Sequence, residues 1–234
     1  MTGPHASRPA AGRDEAVCGQ SPCRVCREPS LAVFADLAGQ RYWRCETCEA
    51  VLLDEACLPA PVDERAYYEL HENDEHDERY RRFVSRLADP LLERLEAGRE
   101  GLDYGCGPGP ALAAVLREHG HAVALYDPYF CKDAGALERT YDFIVCCEVA
   151  EHFHRPADEF DRLDSLLRPG GWLGLMTCFR TEDRLFAGWQ YRHDPTHVVF
   201  YREQTLRFVA RRRGWSCDVP RKDVAIMRKP TGHA

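Results

Sequence analysis

The chain has 234 residues, of which 44% are hydrophobic and 29% charged, and its net charge is -7 at pH 7. That length holds one α/β domain of ordinary size with a small appendage and excludes two large domains. The acidic balance weighs against broad, salt-sensitive wrapping of nucleic acid, and no apolar run approaches the roughly 20 residues of a membrane-spanning helix.

Residues 1–17 mix Gly, Pro, Arg and Ala without the apolar centre of a secretory signal and read as a disordered leader. Twelve cysteines are many for this length. Without an export signal they are expected to be reduced, buried or metal-bound, which points to the cytoplasm.

The first ordered unit is expected over residues 18–57. Cys23-Arg-Val-Cys26 and Cys45-Glu-Thr-Cys48 are separated by eighteen residues, the spacing of a zinc ribbon. A two-residue gap turns both sulfurs of each knuckle toward one point. Residues 31–37 and 40–44 alternate as short strands, with Ala38-Gly39 at the turn. Four thiolates close a tetrahedral Zn²⁺ and leave no position for water, so the metal is expected to be structural. Buried or redox-active cysteines are the alternative, with Cys18 and Cys57 as flanking bystanders or substitute ligands.

Residues 58–98 read as a linker and helical lead-in. Pro59, Pro61 and several acids mark residues 54–64 as linker, and apolar residues recur at helical spacing over 65–96, with Pro90 as a break or a new start. The acidic stretch from His71 to Glu78 is expected to be a solvated face; a second metal site is the alternative.

The main domain is expected over 99–234. Gly101-Leu-Asp-Tyr-Gly-Cys-Gly-Pro-Gly-Pro110 reads as a strand that runs through Asp103 into a turn where Gly105, Gly107 and Gly109 let backbone approach a ligand, with a helix over 111–119. A second strand over 122–126 ends in Asp127, twenty-two residues after Gly105, where a carboxylate can accept hydrogen bonds from ribose hydroxyls. Residues 143–147 form a buried strand that runs into Glu148, Glu151 and His152. A helix over 157–167 and a strand over 172–177 follow.

The order Asp-x-Gly-x-Gly-x-Gly resembles motif I of class I S-adenosylmethionine-dependent methyltransferases. The strand followed by Glu148-x-x-Glu151-His152, and Leu167-Arg-Pro-Gly-Gly171 after it, resemble the ubiquinone-biosynthesis and type 12 groups. The resemblance covers roughly residues 101–178 and implies a Rossmann-like α/β sheet with helices on both faces. It implies S-adenosylmethionine as cofactor, contacted by Asp103, Gly105, Cys106, Gly107, Gly109, Asp127 and Glu148. The same order makes a nicotinamide-dependent oxidoreductase improbable. One departure stands out: thirteen residues separate Asp127 from Tyr141, too few for a crossover helix plus the usual third strand. Tyr129 and Phe130 are therefore read equally as an adenine wall and as core.

Residues 179–201 are long for a connection, and Asp194-Pro-Thr-His197 resembles a type 12 motif at the acceptor site. Methyl transfer is a displacement at an activated sulfonium, so the protein supplies alignment and, for a hydroxyl or amine, a proton acceptor. His152 or His197 is the expected base, with Glu151 or Glu148 orienting it; helix capping and loop hydrogen bonds are the structural alternatives. A zinc held by His193, His197 and a glutamate is disfavoured because Pro195 breaks the helix it would need. A helix over 203–213, ending in Arg211-Arg-Arg213, and strands over 216–219 and 224–228 complete the sheet. The acceptor is expected to be a small or carrier-held molecule, methylated at oxygen. RNA or protein recognised through the ribbon, and a non-catalytic binding protein of the same fold, are the alternatives.

Overall fold

The computed structural model of the protein describes residues 21–70 and 73–232. The leader, Cys18, His71 and Glu72 lie outside the described residues. The ribbon begins with strands β1 (Leu31–Leu37) and β2 (Gln40–Cys45), paired antiparallel across Ala38-Gly39. Both turn residues have positive φ, 51° and 81°, the backbone that a two-residue hairpin demands. Strand β3 (Val51–Leu53) joins β2, and β8 (Val199–Phe200), which comes from far along the chain, joins β3.

Between β3 and the main sheet lie helices α1 (Pro61–Tyr68) and α2 (Glu78–Leu92). The single helical run read over 65–96 is therefore two helices. The first begins inside the supposed linker, with Pro61 in the first turn, where its missing N–H costs nothing. Asp77 caps α2 by accepting from the Arg79 amide, and Val84, Leu87, Ala88 and Leu91 form one buried stripe. Burying Leu87 or Leu91 contributes about 1.5–3 kcal/mol each. Pro90 neither breaks nor starts this helix, because it sits near the C-terminal end, where packing of Leu87 and Leu91 carries the turn past it.

The main sheet contains β4 (Glu100–Tyr104), β5 (Ala122–Tyr126), β6 (Tyr141–Cys147), β7 (Leu167–Met176), β9 (Ser216–Arg221) and β10 (Val224–Arg228), in the order β5-β4-β6-β7-β10-β9. The first four are parallel, and β10 and β9 are antiparallel additions. Helices α2 and α3 (Ala111–Glu118) cover one face. Helices α4 (Pro156–Leu166) and α5 (Glu203–Arg212) cover the other, together with the ribbon, whose Cys23, Tyr42 and Leu52 share a core with Phe160, Phe200 and Val209.

The chain leaves β4 through α3 toward β5, and leaves β6 through α4 toward β7. Strand order therefore reverses between β4 and β6, and the crevice beyond their carboxyl ends is where an open α/β sheet binds ligands. The thirteen residues after Asp127 make a tight Asp127–Cys131 loop and a 3-10 turn over Ala134–Leu137. Among the described residues no strand follows β5 outward, so β5 is an edge.

Candidate active site and metal centre

A cavity of about 730 Å³ opens at the strand ends, within the range of small-molecule sites. The glycine turn forms one wall, and Gly105, Cys106 and Gly107 line it. Gly105 and Gly107 have φ of 84° and 62°, so the turn needs glycine on backbone grounds alone. At Gly109 a Cβ would lie 2.0 Å from the Asn73 carbonyl oxygen, which brings the segment before α2 down onto the turn as a roof.

Asp103 is placed beneath the turn and not on the cavity wall: it is 3% exposed, and burial raises its carboxyl to about 7, with the Ala113 amide opposing the shift. Asp127 does line the cavity. Its Oδ1 accepts from the Tyr129 and Phe130 amides at 2.8 and 3.0 Å, and its Oδ2 accepts from the Gly107 amide at 3.0 Å. A carboxylate oxygen takes two hydrogen bonds, so Oδ2 retains capacity for one hydroxyl donor. Tyr129 and Phe130 stand beside it on the same wall. This set fits a nucleoside cofactor: a glycine turn, a carboxylate with one acceptor site left, and flanking aromatic surface.

Across the cavity, β6 ends at Glu148, whose φ of 52° is strained for a residue with a side chain and typical of functional positions. Burial raises its carboxyl to about 9, followed by the charge of Glu151; Tyr191 donates to it at 3.2 Å. Glu151 is fully buried, with the Tyr191 and Thr177 hydroxyls as its nearest donors. Burial raises this carboxyl also.

His152 places Nδ1 3.0 Å from the Thr196 carbonyl, and His197 places Nδ1 2.6 Å from the Tyr191 carbonyl. A carbonyl only accepts, so both Nδ1 atoms carry the hydrogen and both Nε2 atoms are the basic nitrogens of the neutral rings. The rings meet at 4.7 Å, and the His152 Nε2 lies 3.9 Å from Glu151 Oε1. Burial holds His197 below the ordinary 6.5. Asp194 shapes this loop by accepting from the Thr196 amide and hydroxyl at 2.9 and 2.6 Å. Donor atoms of Glu151, His152 and His197 lie within 4.8 Å of one another, close enough to converge on one cation. His193 stays out of this group, exposed and 3.4 Å from the Ala187 carbonyl.

Sequence reasoning missed Glu64, Tyr68 and His154. Glu64, buried on α1, accepts from the Tyr129 hydroxyl at 2.7 Å and meets the His154 Nε2 at 2.9 Å. One turn on, Tyr68 packs against Tyr129 and His152. The only available signal was Glu64 and Tyr68 at helical spacing inside an acid-rich stretch. The Tyr191 hydroxyl joins Thr177, the Cys178 amide and Glu148.

In the ribbon, Cys23, Cys26, Cys45 and Cys48 are buried with their sulfurs within 4.8 Å of one another. The two knuckles are built alike. The residue after each pair, Arg27 or Glu49, has φ of 63° or 62° and donates to the first cysteine's carbonyl at 2.7 or 2.9 Å. Each first cysteine then donates to the next residue's carbonyl, Glu28 or Ala50, at 2.9 Å. The Cys23–Cys48 and Cys26–Cys45 sulfurs are 3.7 and 3.5 Å apart. A tetrahedron with bonds of about 2.3 Å has edges of about 3.8 Å, so the four sulfurs fit one zinc ion. Cys57 is not part of this group. At the end of α5, Arg212 pairs with Glu28 and the next residue, Arg213, with Asp161, each at 2.6 Å.

A doubly covered sheet of this order, with a glycine turn and an acid after the second strand, defines an S-adenosylmethionine-dependent methyltransferase domain. The sequence model of a family described as a methyltransferase domain matches residues 73–218, and the chain belongs to that family. A ubiquinone biosynthesis O-methyltransferase from Burkholderia multivorans is 31% identical over 116 residues, which cover 39% of this chain and 50% of the relative. The chain thus spans about half the length of the curated relative it matches. Among solved structures, the 1,6-didemethyltoxoflavin-N1-methyltransferase of Burkholderia thailandensis, with its namesake ligand and S-adenosylhomocysteine bound, superposes with a TM-score of 0.54. It is 16% identical and covers 86% of this chain and 99% of its own, a likeness of fold. Among the described residues no helix is long and apolar enough to cross a membrane.

Proposed function

We propose that the protein transfers a methyl group from S-adenosylmethionine to a small-molecule or carrier-bound acceptor, at oxygen. One observation carries this reading: two histidines present basic Nε2 atoms beside a buried carboxyl in the same cavity as the glycine turn and Asp127. The name of the Burkholderia multivorans relative supports oxygen as the acceptor atom. Paired C-terminal arginines and the acidic net charge favour a small acceptor over RNA.

S-adenosylmethionine supplies a methyl group on a positively charged sulfur, already activated for displacement. Gly105, Cys106 and Gly107 would cradle the donor, Asp127 Oδ2 would accept from a ribose hydroxyl, and Tyr129 and Phe130 would flank the base. His197, held neutral by burial and aimed by the Tyr191 carbonyl, accepts the acceptor's proton at Nε2; His152 is the neighbouring base. Such proton removal is worth about 10²–10⁴-fold in rate. Glu151, buried beside this ring, is drawn toward its ionised form by charge on His197 and would thereby stabilise the imidazolium once it forms.

The ribbon's four cysteines would hold a structural Zn²⁺, a class of site that contributes on the order of 10 kcal/mol to folding in small finger peptides. Such a site needs reduced thiolates, in keeping with the cytoplasm. The deciding experiment is calorimetric titration of metal-analysed protein with S-adenosylmethionine and S-adenosylhomocysteine, followed by labelled methyl transfer to a metabolite extract and to total RNA. Micromolar binding and a labelled small molecule are expected. Absence of binding by both nucleosides withdraws the reading, and label in RNA alone changes the acceptor.

A further inference from the structure

Each ribbon knuckle grips one of the two loops that carry the histidines. From the first knuckle, Arg24 accepts at its carbonyl from the Ala157 amide at 2.9 Å and donates its guanidinium to the His154 carbonyl at 3.0 Å. This pins the segment between β6 and α4, which holds Glu151, His152 and His154. The second knuckle runs directly into β3: Cys45 donates to Ala50, and Val51 and Leu52 pair with Phe200 and Val199. Leu53 then donates to the Val198 carbonyl at 2.9 Å, and Val198, the neighbour of His197, donates to the Glu151 carbonyl at 2.9 Å.

Arg24 also donates to the Leu53 carbonyl and so ties the two grips together. Ser30 also joins them, accepting from the Glu46 amide and meeting Cys45 Sγ and the Thr47 hydroxyl, and the four-sulfur cluster is the link that a metal would close. A metal there fixes the distance between one clamp on the loop of His152 and another on the loop of His197. The glycine turn and Asp127 are held by other means, the Tyr126 carbonyl and their own mutual hydrogen bonds.

We propose that the metal-bound ribbon is a positioning element for the acceptor half of the site: it sets the spacing of His152 and His197 and leaves the donor half to fold on its own. The inference rests on the methyltransferase reading above. It treats Arg24 and β3 as positioning residues that act through Val198 and His154.

The test uses the full chain with zinc bound, stripped by a chelator and reloaded with zinc or cobalt(II), the latter giving the absorption of a tetrahedral thiolate site. Hydrogen–deuterium exchange is followed over 150–157 and 194–201, against 103–116 in the donor half, together with S-adenosylhomocysteine affinity. Stripping is expected to speed exchange in both acceptor segments by about tenfold or more, to change that affinity less than about threefold, and to be reversed by reloading. Arg24→Lys, which keeps the cysteines and loses the forked donation, is expected to speed exchange over 150–157 with metal content unchanged.

Protein isolated without metal, unchanged exchange on stripping, or parallel loss of the donor half would each overturn the inference. If the zinc-loaded protein does not bind S-adenosylhomocysteine, the methyltransferase reading falls instead, a result distinct from unchanged loop exchange.

Discussion

Replacing Gly105 by alanine tests how the turn is built and what it holds. At φ 84° an L-residue costs about 1–2 kcal/mol on backbone grounds. The added Cβ would also stand 2.5 and 2.7 Å from the two methyl carbons of Val149, distances that force the side chain or the turn to move. Overpacking of this kind costs about 1–3 kcal/mol, so Gly105→Ala is expected to destabilise by about 2–5 kcal/mol in all. The two parts separate in a cycle with Val149→Ala. In that background only the contact with the residue 149 Cβ at 3.1 Å is left, so the cost falls toward the backbone part, about 1–2 kcal/mol.

Urea denaturation at constant slope gives the stabilities, and S-adenosylhomocysteine titration gives the function. The single variant is expected to weaken binding by about tenfold or more, because the turn shifts off the Tyr126 carbonyl that anchors the Gly105 and Cys106 amides at 2.7 and 3.2 Å. The double variant recovers part of that loss. A single variant within about 0.5 kcal/mol of the parent, or an equal cost in both backgrounds, would refute the reasoning.

Asp127→Ala leaves three loop amides without their acceptor, each worth about 1–3 kcal/mol if it stays buried, and is expected to weaken S-adenosylhomocysteine binding by at least about tenfold; an unchanged dissociation constant removes Asp127 from the donor site. Burial depresses His197, so the stability owed to its neutral ring is full above the unfolded value of 6.5 and is lost as pH falls through 6.5 toward the lower folded value. The acid limb of kcat/KM should therefore lie below 6.5, and a limb above 7 would exclude His197 as the base. Asp103 behaves oppositely: raised from 3.8 to about 7, it favours the fold below 3.8 and loses that contribution as pH rises through about 7. Asp103→Asn should thus gain stability over the parent between pH 5 and pH 8, and an equal difference at both pH values would show that Asp103 is not held protonated.

Short-range signals were the legible part of this fold. The glycine turn, the strand over 122–126, the hairpin and both cysteine pairs announce themselves because each is specified by residues a few positions apart. Strands β3 and β8, of three and two residues, carry no such signal: Val51–Leu53 becomes a strand by pairing with Tyr42–Arg44 of β2, and Val199–Phe200 only by pairing with β3. Helix α1 was hidden for a related reason, since its one fully described buried residue is Glu64, a carboxylate that needs Tyr129 and His154 before burial is tolerable. Asp103 is the opposite case. Its place in the motif suggested the cavity wall, but alternation along β4 sends Asp103 toward α3 and its neighbour Tyr104 toward α4.

The short segment after Asp127 accounts for the two cavity residues, Glu64 and Tyr68, that lie ahead of the family match at residue 73. With no strand beyond β5 among the described residues, the wall at the ribose end has to come from elsewhere. Helix α1 supplies it: Glu64 fixes the Tyr129 hydroxyl beside Asp127, and Tyr68 closes against both Tyr129 and His152. The ribbon does the corresponding work on the far side, where it clamps the loops of His152 and His197. Both pieces precede the matched domain, and between them they hold the loops of His152 and His197, proposed above to face the acceptor. Substrate choice in this protein is therefore expected to track residues 21–70 more closely than the glycine turn, which any S-adenosylmethionine-binding relative must keep open.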